Sequence, residues 1–210
     1  MTTDQKITTD MRTFKKILFA VGILLLAINI FGLFKTLRNP AIYDEEKTLR
    51  NRIGDITIPY PEIKADFIRN KSETTKEYVV RMNKVVNDGF AHYWKRQGIA
   101  KYHLRVPIWE NYLLYAASYV DPSVYRMYEF TDYKKDLERG VGLCSTHCIV
   151  LKGVLASHGI EGQLWDIAGH VVLRTQVADH EWWLLDPDFG IVVPYDTAAV
   201  QANPEIVRPY

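Results

Sequence analysis

The sequence predicts an α+β fold: a set of helices followed by one antiparallel sheet, behind a single N-terminal membrane-spanning helix. Three observations carry this. Residues 17–34 form an uncharged apolar run, residues 74–158 repeat apolar side chains at helical spacing, and residues 162–186 break into short aromatic and β-branched runs separated by turn residues. The composition is that of an ordinary globular chain, 48% hydrophobic and 24% charged over 210 residues, with room for one domain and an appendage. A net charge of +1 gives no reason to expect nucleic acid as a partner. The two cysteines stand four residues apart on one predicted helix, a poor spacing for a disulfide.

In order along the chain, residues 1–14 read as a polar tail and residues 15–36 as the transmembrane helix. Its apolar run, Ile17 to Phe34, has 18 residues. At 1.5 Å per residue this spans about 27 Å, close to the hydrocarbon thickness of a bilayer, so membrane lipid is the expected partner. A cleaved signal peptide is the competing reading, but its apolar core is usually shorter and ends at a small-x-small site that this run lacks. Cations flank both ends in nearly equal number. Arg12, Lys15 and Lys16, packed directly before the run, tip the expected orientation to a cytoplasmic N-terminus and an extracytoplasmic domain.

Residues 37–70, with Pro40, Pro59, Pro61 and mixed charge, read as an irregular connector, and residues 71–210 as the folded domain. There Thr74 and Glu77 make a capping box. Tyr78, Val79, Met82, Val85, Val86, Phe90 and Tyr93 then follow at helical spacing, predicting a helix to about Arg96. A second helix is expected from Trp109 to Val120, and a third, capped by Asp121, from Ser123 to about Glu138.

The next helix brings in chemistry. After Gly140 and Gly142, Cys144, Cys148, Leu151, Val154, Leu155 and His158 share one face, and Gly159 is the stop signal. Cys144 then lies in the first turn, where unpaired backbone N–H groups and the helix dipole favour an anion, so an ionisable thiol with an apparent pKa well below about 8.5 is expected. The same N–H groups suit an oxyanion. Three strands follow, Gly162 to Ile167, His170 to Val177 and Trp182 to Asp186. If the second hairpin closes through the odd loop Ala178, Asp179, His180, then His170 and Asp186 fall on one face. A direct pairing would put their Cβ atoms about 4.5–5.5 Å apart. Nucleophile, base and orienting carboxylate are the parts of a thiol acyl-transfer site.

Gly-x-Gly-x-Cys opening a helix, then Gly-His-Val, then a Trp-rich strand ending in Leu-Asp-Pro, resembles the transglutaminase-like superfamily of papain-type thiol enzymes. The likeness is close over the last third of the chain and looser from about residue 74. It implies a papain-like core in which the nucleophile helix packs on the antiparallel sheet. It also implies Cys144 as nucleophile, His170 as general base and acid, and Asp186 as the residue orienting His170. The expected substrate is a peptide or another amide or ester, attacked to give an acyl-enzyme that water or an amine resolves. The family also uses an upstream side chain near the oxyanion, and no residue here is assigned to it. The chemistry requires no cofactor, and no D-x-D-x-D-G-type calcium loop is present. Two alternatives stand beside this reading. One is a non-catalytic binding module on the same fold. The other is a zinc domain using Cys144, His147 and Cys148 at i, i+3 and i+4, with His158, His170 or His180 as a further ligand.

Overall fold

The computed structural model describes residues 3–38, 58–93, 102, 104–121 and 128–210. Its elements run α1 (Thr3–Leu33), α2 (Tyr60–Asp66), α3 (Thr75–Gly89), β1 (Ala91–His92), α4 (Tyr112–Val120), α5 (Tyr133–Arg139), β2 (Val141–Gly142), α6 (Cys144–Ala156), β3 (Gly162–Ile167), β4 (His170–Ala178), β5 (Glu181–Asp186), β6 (Ile191–Val193) and α7 (Thr197–Ala202), with a closing 3₁₀ turn at Pro204–Val207. The chain is mixed α+β and, among the described residues, carries one two-stranded parallel sheet and one four-stranded antiparallel sheet.

Packing divides the chain into two units, Met1–Thr36 with Arg105–Arg126, and Leu37–Leu104 with Met127–Tyr210. In the first unit, Met11–Leu33 of α1 is long and apolar enough to cross a membrane, and none of it is buried. The helix itself extends back to Thr3, into the expected polar tail. The Trp109 ring meets Phe31 edge-on with centroids 6.1 Å apart, and Asn29 Nδ2 donates to the Tyr112 hydroxyl. α4 starts at Tyr112, later than the predicted Trp109, because the Asn111 side chain accepts the Leu114 N–H at 2.9 Å and so sets the cap.

In the second unit the predicted capping box is present: Thr74 Oγ1 accepts the Glu77 N–H at 3.3 Å, and Glu77 accepts the Thr74 N–H at 2.9 Å. Tyr78, Val79, Met82, Val85 and Val86 are buried as their spacing predicts. The helix ends at Gly89, well before Arg96. Phe90 turns extended (φ −133°, ψ 130°), and Ala91 and His92 pair in parallel with Val141 and Gly142. Residues 94–96 of the predicted helix lie outside the described residues. So do 123–127 of the predicted third helix, and 128–132 are not helical. α5 begins only at Tyr133, where Asp132 accepts the Lys134 N–H at 3.0 Å and the Asp136 carboxylate takes the Phe130 N–H. Within the expected irregular connector, residues 60–66 form α2, and residues 39–57 lie outside the described residues.

One core joins helices to sheet. α3 supplies Tyr78, Met82 and Val86, α6 supplies Cys148, Leu151, Val154 and Leu155, and the sheet supplies Leu173, Val177 and Leu185. The strand order is β3-β4-β5-β6, a meander, and α6 lies against β4. A buried ion pair fixes the chain entering α6. Arg139 Nη2 meets Asp136 Oδ1 at 2.7 Å with both side chains fully buried, while Arg139 Nε donates to the Val141 carbonyl at 3.1 Å. Burial pushes the Asp136 carboxyl up to about 7, against the pull of Arg139 and of the Phe130 N–H. The Arg139 side chain thus ties α5 to β2, two residues from the start of α6.

Candidate active site

Cys144 is the first residue of α6, as its place after Gly142 and Leu143 predicts. Gly142 does more than loosen the backbone: a Cβ there would stand 2.5 Å from Thr146 Cβ. That space lets Thr146 Oγ1 accept the Leu143 N–H at 3.1 Å and cap the helix. Ser145 and Thr146 hydroxyls both donate to Glu129, at 2.5 and 2.7 Å, which sets a carboxylate against the positive end of α6. The Cys144 sulfur accepts the Val171 N–H at 3.5 Å, so the start of α6 sits beside the residue that follows His170.

β3 and β4 join through Ala168 and Gly169, both at positive φ (50° and 93°), the two-residue turn whose twist matches the strands. Gly169, at φ 93°, stands directly before His170. A Cβ there would meet nothing within 4 Å, and its requirement is conformational. His170 then opens β4, and its Nε2–H donates to Asp186 Oδ2 at 2.7 Å. Asp186 Oδ1 accepts the backbone N–H groups of Asp188 and Phe189, each at 3.1 Å, which locks the carboxylate in one orientation. The Phe189 ring stands edge-on to the His170 ring, centroids 5.4 Å apart.

His170 and Asp186 share a face, but by a different route from the expected odd loop. The turn between β4 and β5 holds only Asp179 and His180, with Ala178 opposite Glu181, a pairing that alone would split the two residues. A bulge between Gln176 and Ala178 shifts the register, and Gln176↔Trp182 through Leu173↔Leu185 restore the even sum. Val172 thereby falls opposite Asp186, and His170 lies two residues further along β4. The contact is the diagonal one between same-face neighbours, not a direct cross-strand pair.

The thiol departs from expectation. Burial raises the Cys144 pKa above its ordinary value, and the carboxylates of Asp188 and Asp186 push the same way. The Val171 and Ser145 N–H groups pull it down, and fall short. Cys148 lies in mid-helix, fully buried, and is raised well above the ordinary value, again by burial first. Cys144 is the more ionisable of the two, but in the resting protein it is a protonated thiol. Iodoacetamide labelling of Cys144 should therefore rise with pH through a midpoint above about 8.5. Cys148→Ala should leave that curve in place, and a midpoint below 8 would show that the local N–H groups outweigh burial.

The zinc set drawn from the sequence is not assembled. His147 Nδ1 donates to the Leu143 carbonyl at 2.8 Å and its Nε2 faces Asp188, whereas Cys148 Sγ donates to the Val171 carbonyl at 3.3 Å. His158 bonds Tyr78, His170 bonds Asp186, and His180 is exposed beside Asp179. Three nearby residues were not picked out from the sequence: Glu129, His92 and Asp188. Asp188 could have been suspected from its place two residues after Asp186. His92 could have been reached had Gly89 been taken as the helix stop, since the chain then emerges extended. No protein-family model, curated protein or solved structure matches the chain.

Proposed function

We propose that this chain is a membrane-anchored thiol acyltransferase or hydrolase on a papain-like, transglutaminase-like core. The carrying observation is the 2.7 Å bond from His170 Nε2 to Asp186, made on the strand whose next residue donates its N–H to the Cys144 sulfur. With Nε2–H committed to Asp186, the neutral imidazole keeps its lone pair on Nδ1, which is the atom able to take a proton. Asp186 fixes tautomer and ring orientation, as the third member of such a constellation does.

In the proposed reaction the protonated Cys144 thiol attacks an amide or ester carbonyl while His170 Nδ1 removes its proton, so thiolate forms only as the carbon–sulfur bond forms. This general-base route suits a half-buried sulfur flanked by two carboxylates better than a standing thiolate–imidazolium pair would. The first-turn N–H groups of α6 hold the oxyanion. His170 then delivers its proton to the leaving amine or alcohol, leaving an acyl-thioester on Cys144. Water or an amine, deprotonated by the same imidazole, attacks the thioester carbonyl, and the sulfur leaves with a proton from His170. A peptide or other amide or ester is the substrate class.

α1 is the proposed anchor, with Arg12, Lys15 and Lys16 on the cytoplasmic side and the catalytic unit on the other. The test of the site reading is Asp186→Asn. It keeps shape but favours the wrong imidazole tautomer, and should lower kcat/KM on a p-nitrophenyl ester by about 10²–10⁴ with little change in KM. A variant with full activity would remove Asp186 from the mechanism.

A further inference from the structure

We propose that His92, His147 and Asp188 form a binding site for one divalent zinc-class cation, separate from the thiol chemistry of Cys144. The three side chains come from three elements: the end of β1, the second turn of α6, and the segment between β5 and β6. Each offers a ligand atom, and these atoms all lie within 4.8 Å of one another. The site is enclosed, with side-chain exposures of 12% for His92, 0% for His147 and 3% for Asp188. Two imidazole nitrogens and a carboxylate oxygen make the donor set that borderline first-row cations prefer, zinc among them.

The orientation of His147 is the argument that goes beyond proximity. Its Nδ1 lies 2.8 Å from the Leu143 carbonyl, an acceptor, so Nδ1 carries a proton. In the neutral ring Nε2 then holds a lone pair. That lone pair faces two further acceptors, the Phe90 carbonyl at 3.3 Å and Asp188 Oδ1 at 3.5 Å. Nε2 meets these acceptors either as a proton donor or as the lone pair that a cation takes up. A ring whose Nδ1–H donates to a backbone carbonyl, which leaves Nε2 for a cation, is the arrangement found in metal-bound histidines.

The His147–Asp188 distance suits the same ion, and the His92–Asp188 pair, now in direct hydrogen bond, opens to admit it. Donors around a tetrahedral zinc stand about 3.3 Å apart. His147 Nε2 is 3.5 Å from Asp188, and His92 Nδ1 is 2.7 and 2.9 Å from the two Asp188 oxygens. Asp188 is held ready: Asn87 Nδ2 donates to its carbonyl at 2.7 Å, and its N–H is bonded to Asp186. The proton that His92 Nδ1 donates to Asp188 is given up when the cation binds and Nε2 takes one in its place, so the ring stays neutral. The rival source of positive charge is a proton on His147 Nε2, giving a buried imidazolium.

The test uses the full chain in detergent, stripped with a chelator and titrated with zinc sulfate against a fluorescent zinc indicator, with bound metal counted by elemental analysis. One zinc per chain is expected. Asp188→Asn, which preserves shape, and His92→Ala should each weaken binding more than about 100-fold, above the loss an outer-shell change produces. Cys144→Ala should bind as the unaltered chain does, and so separates this site from the thiol site. Cobalt(II) in place of zinc should show ligand-field bands without thiolate charge transfer. Absence of stoichiometric zinc in the unaltered chain, equal affinity in Asp188→Asn, or a thiolate band with cobalt would each overturn the site. The first of these would leave the imidazolium.

Discussion

Cys144→Ala is expected to abolish turnover of a p-nitrophenyl ester, with a fall in kcat of at least about 10⁴-fold, while circular dichroism and detergent-solubilised yield stay unchanged. The side chain is half-exposed at the first position of α6, and its removal leaves the cap from Thr146 intact. His170→Ala should produce a loss of similar size, because the thiol starts protonated and needs an acceptor for its proton. The double variant Cys144→Ala with His170→Ala should then be no slower than either single one, since the two act in one step and their effects do not add. Rates that multiply would mean that the two residues work independently.

Arg139→Ala is the largest expected loss of stability. The guanidinium is fully buried and bonds Asp136, the Val141 carbonyl and the Tyr128 carbonyl. Removing it strands a buried carboxyl and two carbonyls in a low-dielectric interior. Loss of one partner from such a pair costs about 3–5 kcal/mol, a large share of the stability of an ordinary domain. Urea unfolding in detergent should show this as a lower midpoint. Arg139→Ala combined with Asp136→Leu should recover part of the loss, because the double change removes the stranded charge as well. If the single variant unfolds at the original midpoint, the pair contributes nothing to holding β2.

What the sequence made legible was local. A capping box at Thr74, apolar spacing through Met82 and Val86, and a cysteine placed behind Gly142 each follow from a few neighbouring residues, and each is present. The shared face of His170 and Asp186 follows from their even separation once the pairing sum of the two strands is even. The path to that face was not legible, because a two-residue turn with a bulge and a three-residue turn give the same parity. The thiol was misread because its ionisation depends on burial and on Asp188, and both are products of tertiary packing. His92 and Asp188 are 96 residues apart and meet only when β1 pairs with β2 and the chain after β5 closes over α3 through Asn87. No periodicity reports such a meeting.

Intact-protein mass spectrometry after brief exposure to p-nitrophenyl acetate tests the proposed chemistry most directly. One acetyl group should appear on Cys144, removable by hydroxylamine as a thioester is, absent from Cys144→Ala and formed far more slowly in His170→Ala. An acetyl group carried by Cys148 or by a lysine, or one gained by Cys144 at the same rate without His170, would contradict it.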